Sequence, residues 1–162
     1  MYEIYNMWPE IAEKTFLTTF KPVKFAAVDH IVFGGMGGSG ALGDIFSAIL
    51  SRTRIHVSVV KGYSLPKTVD ANTLVVVTSI SGNTQEALSV LEQAKKKNSN
   101  VIAFSSGGLV EKFCLENKIE YRKIQEYHSP RASFTVFLYG ILKILGSILP
   151  IKENEVIESI EE

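Results

Sequence analysis

Short apolar runs dense in β-branched residues set the first limit on the fold. "TLVVVTS" at residues 73–79 and "RIHVSVV" at residues 54–60 are nearly continuous, as strands buried on both faces are, and lack the clean polar alternation of a half-wet sheet. Five such runs, at residues 30–34, 55–60, 73–79, 100–104 and 119–123, alternate with helical patterns at 39–51, 84–97 and 109–117. A further helical pattern covers 132–149, and an N-terminal one covers 5–20. Strand and helix in succession predict an α/β class with a doubly wound, mainly parallel five-stranded sheet flanked by helices. "KGYSLP" and its Pro66 replace a full helix between the second and third strands. The expected division is one domain over 1–150 and a short acidic amphipathic helix, or the start of a linker, over 151–162.

Composition removes several classes of function. Lysine plus arginine equals aspartate plus glutamate at 17 each, so no bulk field favours nucleic acid or a membrane surface. A lone cysteine, Cys114, forms no intrachain disulfide and no multi-cysteine metal site, and reads as a small buried apolar residue. The N-terminus has no basic-then-apolar signal pattern, and the apolar stretch at 134–149 is interrupted by Lys143 and two glycines, short of a membrane span. The expectation is a soluble, intracellular (cytoplasmic) protein with no membrane and no nucleic-acid partner.

In open parallel sheets ligands bind beyond the carboxyl ends of the strands, which places residues 35–40, 61–65, 79–84, 105–108 and 124–131 on one edge. In "IVFGGMGGSGALGD", Gly35, Gly37 and Gly40 satisfy the dinucleotide pattern G-x-G-x-x-G. A nicotinamide site also calls for an acidic residue at the end of the second strand; that strand end carries Lys61 instead, which leaves only a weakened NADP reading. "TSISGNTQEAL" places Ser79, Ser81 and Thr84 around a glycine at the start of a helix. Three hydroxyls and free backbone N–H groups form a compact cradle for one phosphate dianion. A dinucleotide domain has no need of such a loop.

"GGMGGSGALGD", "SISGNTQEAL" and "SPRAS" together resemble the sugar isomerase (SIS) domain, and within it the N-terminal half of the archaeal-type bifunctional phosphoglucose/phosphomannose isomerase family. The resemblance implies a flavodoxin-like sheet and a sugar phosphate held by Ser79, Ser81 and Thr84. It implies that Gly37, Gly38 and Ser39 approach the sugar and that Arg131 lies by the reacting carbons. It further implies face-to-face pairing with a second SIS domain or a homodimer, a hexose phosphate as ligand, and no metal or organic cofactor. The family's catalytic glutamate and histidine lie in its second SIS domain, outside the 162 residues here.

Moving a proton between C1 and C2 of an aldose phosphate needs a base near those carbons and a cation where charge develops on oxygen. Arg131 suits the second role. Glu86, Glu126 and His128 are the in-chain candidates for the first. His30 and His56 read as structural, Lys95, Lys96 and Lys97 as a solvated helix end, and Trp8 as a packing residue. The apolar "FTVFLYGILKILGSIL" exceeds one core-facing stripe and suggests a dimer surface. Isomerase and non-catalytic sugar-phosphate sensor both remain open on these residues.

Overall fold

The computed structural model describes residues 2–21, 23–25 and 28–161. Twelve elements follow in chain order: α1 (Tyr2–Asn6), α2 (Trp8–Leu17), β1 (His30–Gly34), α3 (Gly38–Leu50), β2 (His56–Val60), β3 (Leu74–Ser79), α4 (Gln85–Lys96), β4 (Asn100–Ser105), α5 (Gly108–Glu116), β5 (Glu120–Lys123), α6 (Phe134–Leu145) and α7 (Glu153–Glu161). The strands form one sheet in the order β2-β1-β3-β4-β5, every pair parallel. This is the flavodoxin-like doubly wound order, in which the chain reverses direction between β1 and β3.

Strand alternation divides the core in two. Ile31, Phe33, Leu74, Val76, Ile102 and Phe104 face α3 and α6 on one side. Val32, Val75, Val77, Val101 and Ala103 face α4 and α5 on the other. Every residue of β3 is buried, which is why its sequence shows no polar alternation. The outer strands β2 and β5 keep exposed positions, as edges do. Phe33 and Phe46 stack with ring centroids 4.9 Å apart and lock α3 to β1. Cys114 is fully buried in the second cluster, and burial pushes its thiol up to about 12, so it stays protonated and inert.

Two helical expectations change. The N-terminal helix expected over 5–20 is broken at Met7, and α2 restarts with Pro9 in its first turn, where a missing N–H costs nothing. The helix expected over 132–149 covers only Phe134–Leu145 and ends at Gly146. Part of the apolar surface of α6 is covered within the chain: α2 packs along it, and α7 docks through Val156 with Lys143 paired to Glu153 at 3.0 Å. Residues 153–161 are thus a docked helix with a solvated acidic face. As expected, "KGYSLP" at residues 61–66 carries neither helix nor strand.

Candidate functional site

The loop after β1 turns sharply at Gly37, whose φ of 55° is in the left-handed region that glycine adopts freely. A Cβ on Gly40 would meet the carbonyl oxygen of Gly35 at 2.9 Å, and one on Gly43 would meet Val59 at 2.9 Å. These glycines let α3 start against the strands. The Ser39 hydroxyl, almost buried, accepts the Ile80 N–H at 3.2 Å and ties this loop to the next one.

The loop after β3 is a tight turn, with Gly82 N–H on the Ser79 carbonyl at 2.9 Å. Ser79 is buried, and its hydroxyl shares a 2.8 Å hydrogen bond with that of Thr84. Thr84 occupies the N-cap position of α4 without capping it through its side chain. The first N–H groups of α4 therefore face outward beside the Ser81 and Thr84 hydroxyls, at the positive end of the helix dipole.

A third wall comes from the turn before α6. The buried Ser133 hydroxyl meets the Tyr127 N–H at 2.6 Å and the Ser129 carbonyl at 2.8 Å, so the turn carrying Arg131 is braced from within. Arg131 itself is exposed and has no ion pair among the described residues.

These pieces frame a cleft of about 470 Å³. Gly38, Ser39, Ser81, Thr84 and Arg131 are its polar side. Met36, Ile80, Pro130 and Phe134, with Tyr5 and Trp8, supply the apolar side. Of the residues singled out from sequence, Ser79 sits beneath the wall, behind Thr84, and Gly37 lies outside the lining.

Trp8 combines two positions. It packs on the fold, with its indole N–H donating to the Ala132 carbonyl at 3.3 Å, but it also lines the cleft, edge-on to Tyr5 at 4.9 Å between ring centroids. Only tertiary docking of α2 onto α6 brings it there.

The base candidates are not brought in. Glu86, Glu126 and His128 are absent from the lining, and the described wall holds no carboxylate or imidazole. Glu86 faces the loop after β2, where its charge holds the Tyr63 phenol above its ordinary range. Lys61 pairs with Asp44, so the cation of the NADP reading already has a carboxylate. His30 and His56 lie at the opposite edge of the sheet, where the His30 ring contacts Thr73 at 3.2 Å and Ser58 at 3.4 Å. Chemically, two hydroxyls at a helix start and a guanidinium line one cleft, a combination that suits an anion.

The SIS domain family matches residues 24–111. The chain belongs to this family. A bifunctional phosphoglucose/phosphomannose isomerase from Caldicellulosiruptor bescii is 33% identical over 162 aligned positions, covering 95% of the chain and 48% of the relative. The enzyme of the same name from Thermoplasma volcanium is 35% identical over 139 positions, covering 86% and 43%. The chain therefore spans about half the length of the curated relatives it matches. Among solved structures, the C-terminal domain of glucosamine-fructose-6-phosphate aminotransferase from Francisella tularensis superposes with a TM-score of 0.64 at 20% identity, covering 98% of this chain and 50% of that one. At that identity the likeness speaks for the SIS fold alone.

Proposed function

We propose that this SIS domain binds a hexose phosphate and supplies half of an aldose–ketose isomerase of the phosphoglucose/phosphomannose type. The observation that carries this reading is the convergence of Ser81, Thr84 and the open start of α4 on one wall, with Arg131 across the same cleft. The phosphate dianion would sit at the hydroxyl wall, held by Ser81, Thr84 and the helix N–H groups, with Ser79 fixing Thr84 from below. Gly38 and Ser39 would border the sugar, with Gly37 shaping the turn that leads to them, and the apolar side would cover the C–H face of its chain. Arg131 would stabilise the oxyanion of the enediolate formed as the proton leaves C2. The chemistry calls for no redox cofactor.

The proton itself needs a base from elsewhere, and we propose that a second SIS domain, in the same polypeptide or in a partner, provides it across the open cleft. The bare wall also favours one alternative, a sugar-phosphate sensor that binds without turnover. Either would operate in the cytoplasm; no helix among the described residues is long and apolar enough to cross a membrane.

Trp8, the chain's one tryptophan, gives the direct test. Its emission should change on titration with fructose 6-phosphate and remain unchanged with fructose. A response to NADP with none to fructose 6-phosphate would overturn the reading. Exchange of the C2 proton of glucose 6-phosphate in deuterated water, followed by NMR, then separates enzyme from sensor. Positioned acid–base groups supply about 10²–10⁴-fold, so the 162-residue chain should exchange that proton feebly alone and gain activity from a second SIS domain. A sensor would gain none. Rapid exchange abolished by Glu126→Gln or His128→Ala would place the base in this half.

A further inference from the structure

The loop after β3 must hold its hydroxyls ready for a ligand, because ordering a mobile loop at binding would cost affinity. Its own turn is short and exposed, and its rigidity comes from the neighbouring loop between β4 and α5. The Ser106 N–H donates to the Ile80 carbonyl at 3.1 Å, and the Val110 N–H donates to the Gly82 carbonyl at 2.9 Å. The Asn83 carboxamide joins both sides. Its Oδ1 accepts the Leu109 N–H at 3.2 Å, and its Nδ2 donates to the Ser81 carbonyl at 3.2 Å. Glycine alone permits this approach: a Cβ on Gly82 would lie 1.8 Å from the Gly107 carbonyl oxygen, and one on Gly108 would lie 2.7 Å from Asn83 Oδ1.

The two helix starts are thereby made unequal. The α5 N-cap is Gly107, which has no capping side chain, and oxygens of the loop after β3 take the first α5 N–H groups in its place. The α4 start keeps its N–H groups open.

We propose that Asn83 is the positioning residue of the anion cradle: its carboxamide clips the Ser81–Thr84 loop to the α5 start, closing that helix to anions and fixing the Ser81 backbone for the phosphate at α4. This rests on the sugar-phosphate reading above and adds to it the residue that organises the site. Asn83 acts through Ser81 and the loop backbone and need not touch the ligand.

The test is calorimetric titration of fructose 6-phosphate and of inorganic phosphate, at a temperature where all variants are folded, with amide exchange followed by NMR. Asn83→Ala should weaken both ligands about three- to tenfold, the scale of one lost hydrogen bond, and unprotect the Leu109 and Val110 amides. Asn83→Asp keeps an acceptor for the Leu109 N–H but has no donor for the Ser81 carbonyl. It should retain amide protection yet bind weakly even at high salt, where its added charge is screened. A role confined to capping α5 predicts otherwise: unprotected amides with unchanged affinity in Asn83→Ala, or natural affinity in Asn83→Asp at high salt. Either result overturns the inference while leaving the sugar-phosphate reading standing. Failure of the natural chain to bind either ligand overturns that reading, and the inference with it.

Discussion

The loops after β1 and after β3 join strand to helix at the same edge of the sheet, yet their small residues serve different ends. In the first, Gly35, Gly40 and Gly43 are in contact with protein: added Cβ atoms would meet Ser39, Gly35 and Val59 at 2.8 to 2.9 Å. Its one hydroxyl, on Ser39, is engaged by Ile80. In the second, Ser81 and Thr84 line the cleft at a helix start, the Thr84 hydroxyl bonded, among the described residues, only to that of Ser79 within the same loop. A glycine fingerprint can therefore record how closely a helix approaches a sheet, with no pyrophosphate implied. In the proposed function, the ligand preference rests with the hydroxyl loop.

The tightest approach of helix to strand is at Gly35. Gly35→Ala forces a Cβ into the Ser39 backbone, at 2.8 Å from its carbonyl carbon, and should destabilise the fold by about 2–3 kcal/mol. Thermal unfolding should show the midpoint falling by roughly 4–12 °C. Natural stability with abolished fructose 6-phosphate binding would reverse the roles assigned to the two loops.

Ser81→Ala sharpens the contrast from the other side. The Ser81 hydroxyl has only a long 3.4 Å contact from the Asn83 N–H within the protein, so stability should stay within about 0.5 kcal/mol. Calorimetry should register a fall of about tenfold or more in fructose 6-phosphate affinity, since hydrogen bonds to charged groups are the strong ones. Unchanged affinity would remove Ser81 from the cradle.

The smallest effect belongs to the opposite edge of the sheet, where the loop chemistry has no reach. Burial, followed by the charge of His56, lowers the His30 pKa, against smaller opposing effects of Asp70 and Asp29; Thr73 and Ser58 also face the ring. A base with a lowered folded pKa takes up more protons unfolded than folded, so its stabilisation is present above the unfolded value and lost as pH falls through the folded one. The thermal midpoint should drop slightly between about pH 7.5 and about pH 5.5, and His30→Gln should flatten that slope. Asp70, held low by hydrogen bonds from Asn72 and Thr73, adds the same sign at more acidic pH. A midpoint rising on acidification would contradict the arrangement.

Residues whose role depends on near neighbours were legible in advance. The runs around Val75 and Ile102 declared buried parallel strands, the "SISGNT" hydroxyls fell at a helix start, and Pro66 marked a loop. The roles that stayed hidden depend on partners far along the chain. Trp8 reaches the cleft through Ala132, 124 residues away. Asn83 finds its partner 26 residues on, at Leu109, and Ser39 meets Ile80 across 41 residues. The apolar face of α6 is partly covered by α2 and α7, and nothing local shows that these segments return to it. Local periodicity registers a residue's own helix or strand; it carries no record of which distant segment arrives beside it.

The docking of α2 on α6 also orders events in time. The sheet and its flanking helices α3, α4 and α5 can assemble from neighbouring βα units, whose contacts close short loops. The cleft wall is different: Tyr5 and Trp8 reach their places only when a segment near one end of the chain meets a turn and a helix near the other. On a chain emerging from its N-terminus, α2 must keep its buried stripe of Ile11, Ala12 and Phe16 without a partner until α6 has been made. On this ordering the cleft wall closes last, after the scaffold that carries the hydroxyl loop.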